Sequence, residues 1–79
     1  MAPMSNQADD VPIRDESIRL GQFLKLADLI DSGADAKAAI ADGLVSVNGA
    51  VEIRRGAQLR PGDTVTLGDR SARVSGGGQ

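Results

Sequence analysis

The residues of this chain whose types and spacing could do chemistry are basic. Cations that converge on one surface bind phosphate groups and displace the counterions around them. Arg54 and Arg55 are adjacent and follow a predicted hairpin, and Lys37 lies beside the apolar face of a predicted helix. The complete candidate set is Arg19, Lys25, Lys37, Arg54, Arg55 and Arg60.

The same charges could instead be scattered over the surface and solvated. Asp35, Asp42 and Glu52 lie near them in the sequence and could pair with them. Composition alone favours this second interpretation, and spacing along the chain does not decide between the two.

The charge of the chain is unevenly distributed. Its net charge is −2, from nine basic and eleven acidic residues. Residues 1–16 contain four of the acids and one base, whereas the remaining chain contains eight bases and seven acids. The body is therefore close to neutral behind an acidic leader. Any phosphate-binding site must be a local patch rather than a property of the whole protein.

Composition excludes several classes of protein. The chain has no Cys and no His, which excludes a disulfide scaffold, a thiol nucleophile, a Ser-His-Asp triad and the usual zinc sites. No base, nucleophile or ligand cluster accompanies the carboxylates, so we predict no catalytic residue, metal, cofactor or small-molecule substrate. No apolar run approaches the ~20 residues that span a bilayer, and the N-terminus is unlike a signal peptide. We therefore expect a cytoplasmic protein that does not bind membranes.

Two helices are predicted to position the basic residues. The first covers residues 21–30, with an apolar face on which Phe23, the sole aromatic residue, is expected in the core. The second covers residues 33–42, with Ser32 as its N-cap and Gly43 as its C-terminal cap.

The rest of the chain is predicted to form short strands and turns. Asn48-Gly49 favours a type I′ hairpin turn, and Pro61-Gly62-Asp63 favours another turn. The predicted strands cover residues 14–19, 44–47, 51–53, 64–67 and 70–74, the last at a sheet edge. The resulting fold class is α+β, with two helices packed on a small, mostly antiparallel sheet.

The length of 79 residues fits one small domain. We assign residues 1–12 to a disordered acidic leader, residues 13–74 to the domain, and residues 75–79 to a flexible glycine-rich tail.

The order of these motifs resembles the S4-type RNA-binding domain, in particular its short stand-alone bacterial members. The resemblance covers about residues 17–68, and LGQFLKLADLIDSG is similar to the usual opening of those members. The matching motifs are Arg19-Leu20, Ser32, Ala36-Lys37, Ile40, Gly43, the Val45–Gly49 strand and turn, and Arg60–Val65.

The resemblance implies an S4 (alpha-L) RNA-binding motif, in which the two helices and the loop after the hairpin bind RNA. It implicates all six candidate cations, Arg60 least strongly, and it implies ribosomal or transfer RNA as the partner of a monomer. The chain departs from the family pattern at two positions. Gly33 stands where many members have a base, and Gly21 stands where many have an acid.

Two other functions remain open from the sequence. The segment LRPGDTVTL and the glycine-rich end resemble ubiquitin-like sulfur carriers, which would require processing because Gln79 follows the glycines. A protein-interaction adaptor is the other alternative, and it makes no use of the arginine pair.

Overall fold

Two short helices pack against a mixed sheet in residues 9–76, the part of the chain that the computed structural model describes. The elements, in chain order, are β1 (Asp9–Ile13), β2 (Ile18–Arg19), α1 (Leu20–Leu26), α2 (Gly33–Ala41), β3 (Val45–Val47), β4 (Ala50–Val51), β5 (Gln58–Leu59), β6 (Thr64–Leu67) and β7 (Arg70–Gly76).

The main sheet has five strands in the order β1-β7-β6-β3-β4, and β2 and β5 form a separate antiparallel ribbon. All neighbours in the main sheet are antiparallel except β1 and β7, which run parallel. The predicted fold class, two helices on a small and mostly antiparallel sheet, is therefore confirmed. The prediction that the last strand lies at the edge is wrong, because β1 covers it.

Strand β1 corrects the predicted start of the domain. The sequence predicts a disordered leader over residues 9–12 and a first strand over residues 14–19, yet Asp9–Ile13 forms a strand that pairs along its whole length with residues 72–76 of β7. The cause is the alternation of Val11 and Ile13, which directs Ile13 into the core. Pro12 lacks an N–H, but an edge strand tolerates that loss. The rest of the leader, residues 1–8, lies outside the described residues.

The other end of the domain also extends further than predicted. The sequence predicts that Ser75 and Gly76 belong to the flexible tail, whereas β7 continues through both of them. Both pair with β1, Ser75 opposite Pro12 and Gly76 opposite Ile13. The remainder of the predicted tail, residues 77–79, lies outside the described residues.

Helix α1 is shorter than predicted because the backbone reverses at Asp28. Its buried face consists of Leu20, Phe23 and Leu24, at the expected helical spacing. Asp28 adopts a φ of 61°, a left-handed conformation that ends a helix. The N–H of Leu29 then donates to the carbonyl of Leu24 at 3.0 Å, which closes the helix end.

Helix α2 follows its prediction closely. The Oγ atom of Ser32 accepts a hydrogen bond from the N–H of Asp35 at 3.2 Å, so the predicted N-cap is confirmed. Gly43 has a φ of 77° and ends the helix as predicted. Ala36, Ala39 and Ile40 form the buried face, where the small alanines allow close packing.

The core lies between the helices and the main sheet. Phe23 is fully buried there, as expected, which leaves no aromatic ring exposed in the described residues. The largest fully buried side chains are Phe23, Leu20, Leu24, Ile40, Leu59, Val45, Val65 and Val74.

Asn48 and Asp63 join the two predicted turns. Asn48 has a φ of 54° and Gly49 one of 88°, as a type I′ turn requires. The Nδ2 atom of Asn48 donates to Oδ1 of Asp63 at 3.0 Å, and its Oδ1 accepts from the N–H of Thr64, also at 3.0 Å. The other carboxylate oxygen of Asp63 accepts from the N–H of Arg60 at 2.9 Å. The hairpin turn is thus tied to the start of β6.

We predict that Asn48→Ala lowers the free energy of unfolding by about 1–2 kcal/mol, because both side-chain hydrogen bonds are lost. Asn48→Gly should lose less, since glycine adopts the positive φ without strain. Urea unfolding of both variants tests this prediction. Wild-type stability in Asn48→Gly would contradict it.

Candidate nucleic-acid interface

The loop at residues 54–57 is docked against the first turn of α1. The first N–H groups of a helix have no partner within the helix. Here the N–H of Leu20 donates to the carbonyl of Ala57 at 2.8 Å, and the N–H of Gly21 donates to the carbonyl of Arg55 at 3.1 Å. The β2–β5 pairing continues the same contact, with Arg19 opposite Gln58. The arginine-bearing loop therefore has a fixed place beside the helix.

An open groove of about 360 Å³ lies between this loop, α1 and the start of α2. Three of the six candidate cations line it, one from each of three different places in the sequence. No acidic residue is among the described residues that line the groove, so it carries three positive charges in a protein of net charge −2. The lining residues are Arg19, Gly21, Gln22, Lys25, Gly33, Ala36, Arg55 and Gly56.

The groove can therefore hold an anion with several oxygens. Arg19 is the N-cap residue of α1 and Lys25 lies in the last turn of the same helix, whereas the docked loop brings Arg55 to them from a distant part of the sequence. Guanidinium groups donate two parallel hydrogen bonds to phosphate oxygens, and an ammonium group adds a compact charge.

Arg54 lies beside the groove but is paired with Glu52. Its Nε donates to Oε2 of Glu52 at 3.2 Å, and its backbone N–H donates to the same oxygen at 3.0 Å. The contacts between Glu52 and Arg54 also explain why β4 ends at Val51. The sequence predicts a strand over residues 51–53, but Ile53 lies beyond the end of β4 and is exposed. The backbone N–H of Arg54 and then its guanidinium hold the pKa of Glu52 below its ordinary value. Glu52 is therefore ionised at neutral pH, and the pair is lost only as the pH falls through that lowered pKa.

Lys37 and Arg60 lie outside the lining of the groove. Lys37 is exposed on α2 next to Ala36, which lines the groove. Arg60 is exposed at the turn that Asp63 organises. Arg54, Lys37 and Arg60 do not line the groove, and their contact with phosphate stays a prediction.

Sequence reasoning missed Gln22 as a groove residue. Gln22 lies three residues before Lys25, and that spacing puts both on one face of α1. A second hollow of about 590 Å³ shares Gln22 and Lys25 with the groove and contains Arg14, but Asp15 also lines it.

The described residues contain neither a membrane-spanning helix nor a cluster of metal ligands. No helix in residues 9–76 is long and apolar enough to cross a membrane. Over the same residues, no group of three or more acidic side chains could hold a metal ion.

Comparison with known proteins identifies the family. The sequence profile of the S4 domain matches residues 11–75. The chain belongs to the S4 domain family. RlbA of Bacillus subtilis (strain 168), named as a probable ribosome maturation protein, is 47% identical to this S4 domain over 60 residues, which cover 76% of this chain and 84% of RlbA. YbcJ of Escherichia coli (strain K12) is 44% identical over 57 residues, covering 72% of this chain and 81% of YbcJ.

Solved structures agree with this assignment. The solution structure of YbcJ from E. coli, described as having an αL motif involved in RNA-binding, has a TM-score of 0.68 to this S4 domain at 39% identity. The match covers 95% of each chain. The crystal structure of the 30S ribosomal protein S4e from Thermoplasma acidophilum gives a TM-score of 0.59 at 25% identity, over 76% of this chain and 32% of that one.

We predict that Glu52→Gln frees the Arg54 guanidinium and tightens binding of inorganic tripolyphosphate about two- to fivefold, the size expected for one exposed ion pair. A neutral amide accepts hydrogen bonds more weakly than a carboxylate. The exchange of the Arg54 Nε proton with water, measured by NMR, should become faster.

Asp10→Asn is the matched control, because it also removes one carboxylate from an arginine. Asp10 accepts from Nε of Arg73 at 2.9 Å across the β1–β7 pair, and neither residue lines the groove. It should accelerate exchange at Arg73 only. Equal tightening of tripolyphosphate binding by both variants would show that total charge, and not Arg54, is responsible.

Proposed function

We propose that this chain is a non-catalytic RNA-binding protein that recognises structured RNA, ribosomal or transfer RNA, through its local basic patch. The observation that carries the proposal is the groove in which Arg19, Lys25 and Arg55 converge without an acidic neighbour in its described lining. A polyanion can bind there despite the acidic composition of the whole chain, because nearby charges dominate the field at a groove.

The absence of an exposed aromatic ring supports structured RNA over single strands. Proteins that bind single strands without sequence preference stack bases on aromatic side chains. Phe23 is the only aromatic residue of the chain, and it is fully buried. A site built from cations and backbone fits recognition of RNA shape through phosphate and sugar contacts.

The relatives support the same function. RlbA is named for ribosome maturation, and the YbcJ structure is described by a motif involved in RNA-binding. Both match this chain over most of their own length. A role on ribosomal RNA would place the protein in the cytoplasm. We further propose that the protein binds RNA as a monomer.

The first test removes two groove charges. Arg19→Gln with Arg55→Gln should lower the slope of log affinity against log salt by about 2. Each lost phosphate contact should lower the logarithm of the affinity at 0.1 M salt by about 0.7 to 0.9, so the loss of two contacts should lower the affinity roughly 25- to 60-fold. The measurement is a fluorescence titration with labelled hairpins of ribosomal RNA sequence at several salt concentrations.

Arg73→Gln is the control for loss of a positive charge outside the groove, since Arg73 pairs with Asp10 and does not line the groove. It should leave the salt slope close to that of the wild type. Failure of the wild-type protein to bind any hairpin or transfer RNA at low salt would refute the proposal and favour the protein-interaction adaptor.

The second test concerns the cations outside the groove. Lys37→Glu combined with Arg54→Glu should abolish measurable RNA binding if the surface extends across α2 and past the docked loop, because two attractive charges become repulsive. The same titration measures it. Unchanged affinity would restrict the site to the groove.

A further inference from the structure

Gly21 occupies a place in α1 where a side chain would collide with Arg55. A Cβ atom built on Gly21 would lie 2.8 Å from Cγ of Arg55 and 3.4 Å from its Cδ. Real side chains do not approach as closely as 2.8 Å, so one of the two groups would have to move. Glycine is also unfavourable within a helix. Its presence here is explained by the close approach of the arginine.

The lack of space for a Cβ atom is specific to Gly21 and is not shared by another glycine in the groove. Gly33 lines the same groove at the start of α2, and nothing lies within 4 Å of a Cβ atom built there. Gly21, in contrast, contacts Arg55 in two ways. Its N–H donates to the Arg55 carbonyl at 3.1 Å, and its bare Cα faces the aliphatic part of the Arg55 side chain.

We propose that Gly21 is a positioning residue that seats the aliphatic part of Arg55 against α1 and so directs its guanidinium into the groove. The proposal rests on the proposed function, because the group to be bound is an RNA phosphate. A seated arginine has fewer conformations to lose when it binds, which favours affinity. A methyl group at position 21 pushes the side chain away from the helix while the backbone of the loop stays docked.

Gly21→Ala is the test, made in the titration with labelled ribosomal RNA hairpins. The salt slope should fall by about 1, the contribution of one phosphate contact. Alanine is favoured in helices, so the thermal midpoint should not fall enough to explain the loss. Without RNA, the NMR contact between the Gly21 α-protons and the Arg55 side chain should be present in the wild type. The Arg55 Nε resonance should shift in the variant.

A double-mutant cycle separates positioning from a general disturbance. In an Arg55→Gln background, Gly21→Ala should cause no further loss of affinity, because the residue it acts through is already disabled. Gly33→Ala adds a methyl group to the same groove without reaching Arg55, so it measures the effect of added bulk alone.

The inference would be overturned if Gly21→Ala lowered the affinity equally in the wild type and in the Arg55→Gln background. It would also be overturned if Gly33→Ala lowered the salt slope as much as Gly21→Ala does. If the wild type binds RNA and Arg55→Gln weakens binding, an unchanged salt slope in Gly21→Ala overturns this inference alone. A wild-type protein that binds no RNA overturns the proposed function and the inference with it.

Discussion

The docking of the 54–57 loop onto the first turn of α1 is the contact on which the rest of the site depends. Two N–H groups that the helix cannot satisfy are matched by two carbonyls that the loop cannot satisfy, those of Arg55 and Ala57. Leu20 and Leu59, on either side of this contact, are buried in the core and fix its position. The backbone of the loop is thereby held beside α1, and the Arg55 side chain lies against the helix.

A protein with more acids than bases presents a basic groove because several of its carboxylates are occupied elsewhere. Asp63 binds the Asn48 amide and the backbone of Arg60, Asp10 pairs with Arg73, and Glu52 holds Arg54. These contacts keep negative charge at the turns and at the outer strand. The surface field is therefore set by where charges are placed, and net charge describes it poorly.

Sequence reasoning succeeded where one residue type determines the backbone. Ser32 and Gly43 delimit α2, and Asn48-Gly49 defines the hairpin, because few residues suit those conformations. It failed at Asp28, whose left-handed conformation is uncommon outside glycine. Strand β1 was missed because it depends on β7, at the far end of the chain. Which cations converge likewise depends on tertiary structure, so the family resemblance suggested six and the groove gathers three of them.

The parallel pairing of β1 with β7 makes the first of the described strands depend on the last of them. Asp10 and Arg73, which meet across this ladder, are 63 residues apart. On a translating ribosome, the hairpins and both helices can form from nearby segments while β1 still has no partner. Such distant contacts form slowly because the intervening chain must first be ordered. The sheet closes only when β7 has emerged, so synthesis itself sets the earliest moment at which this domain can be complete.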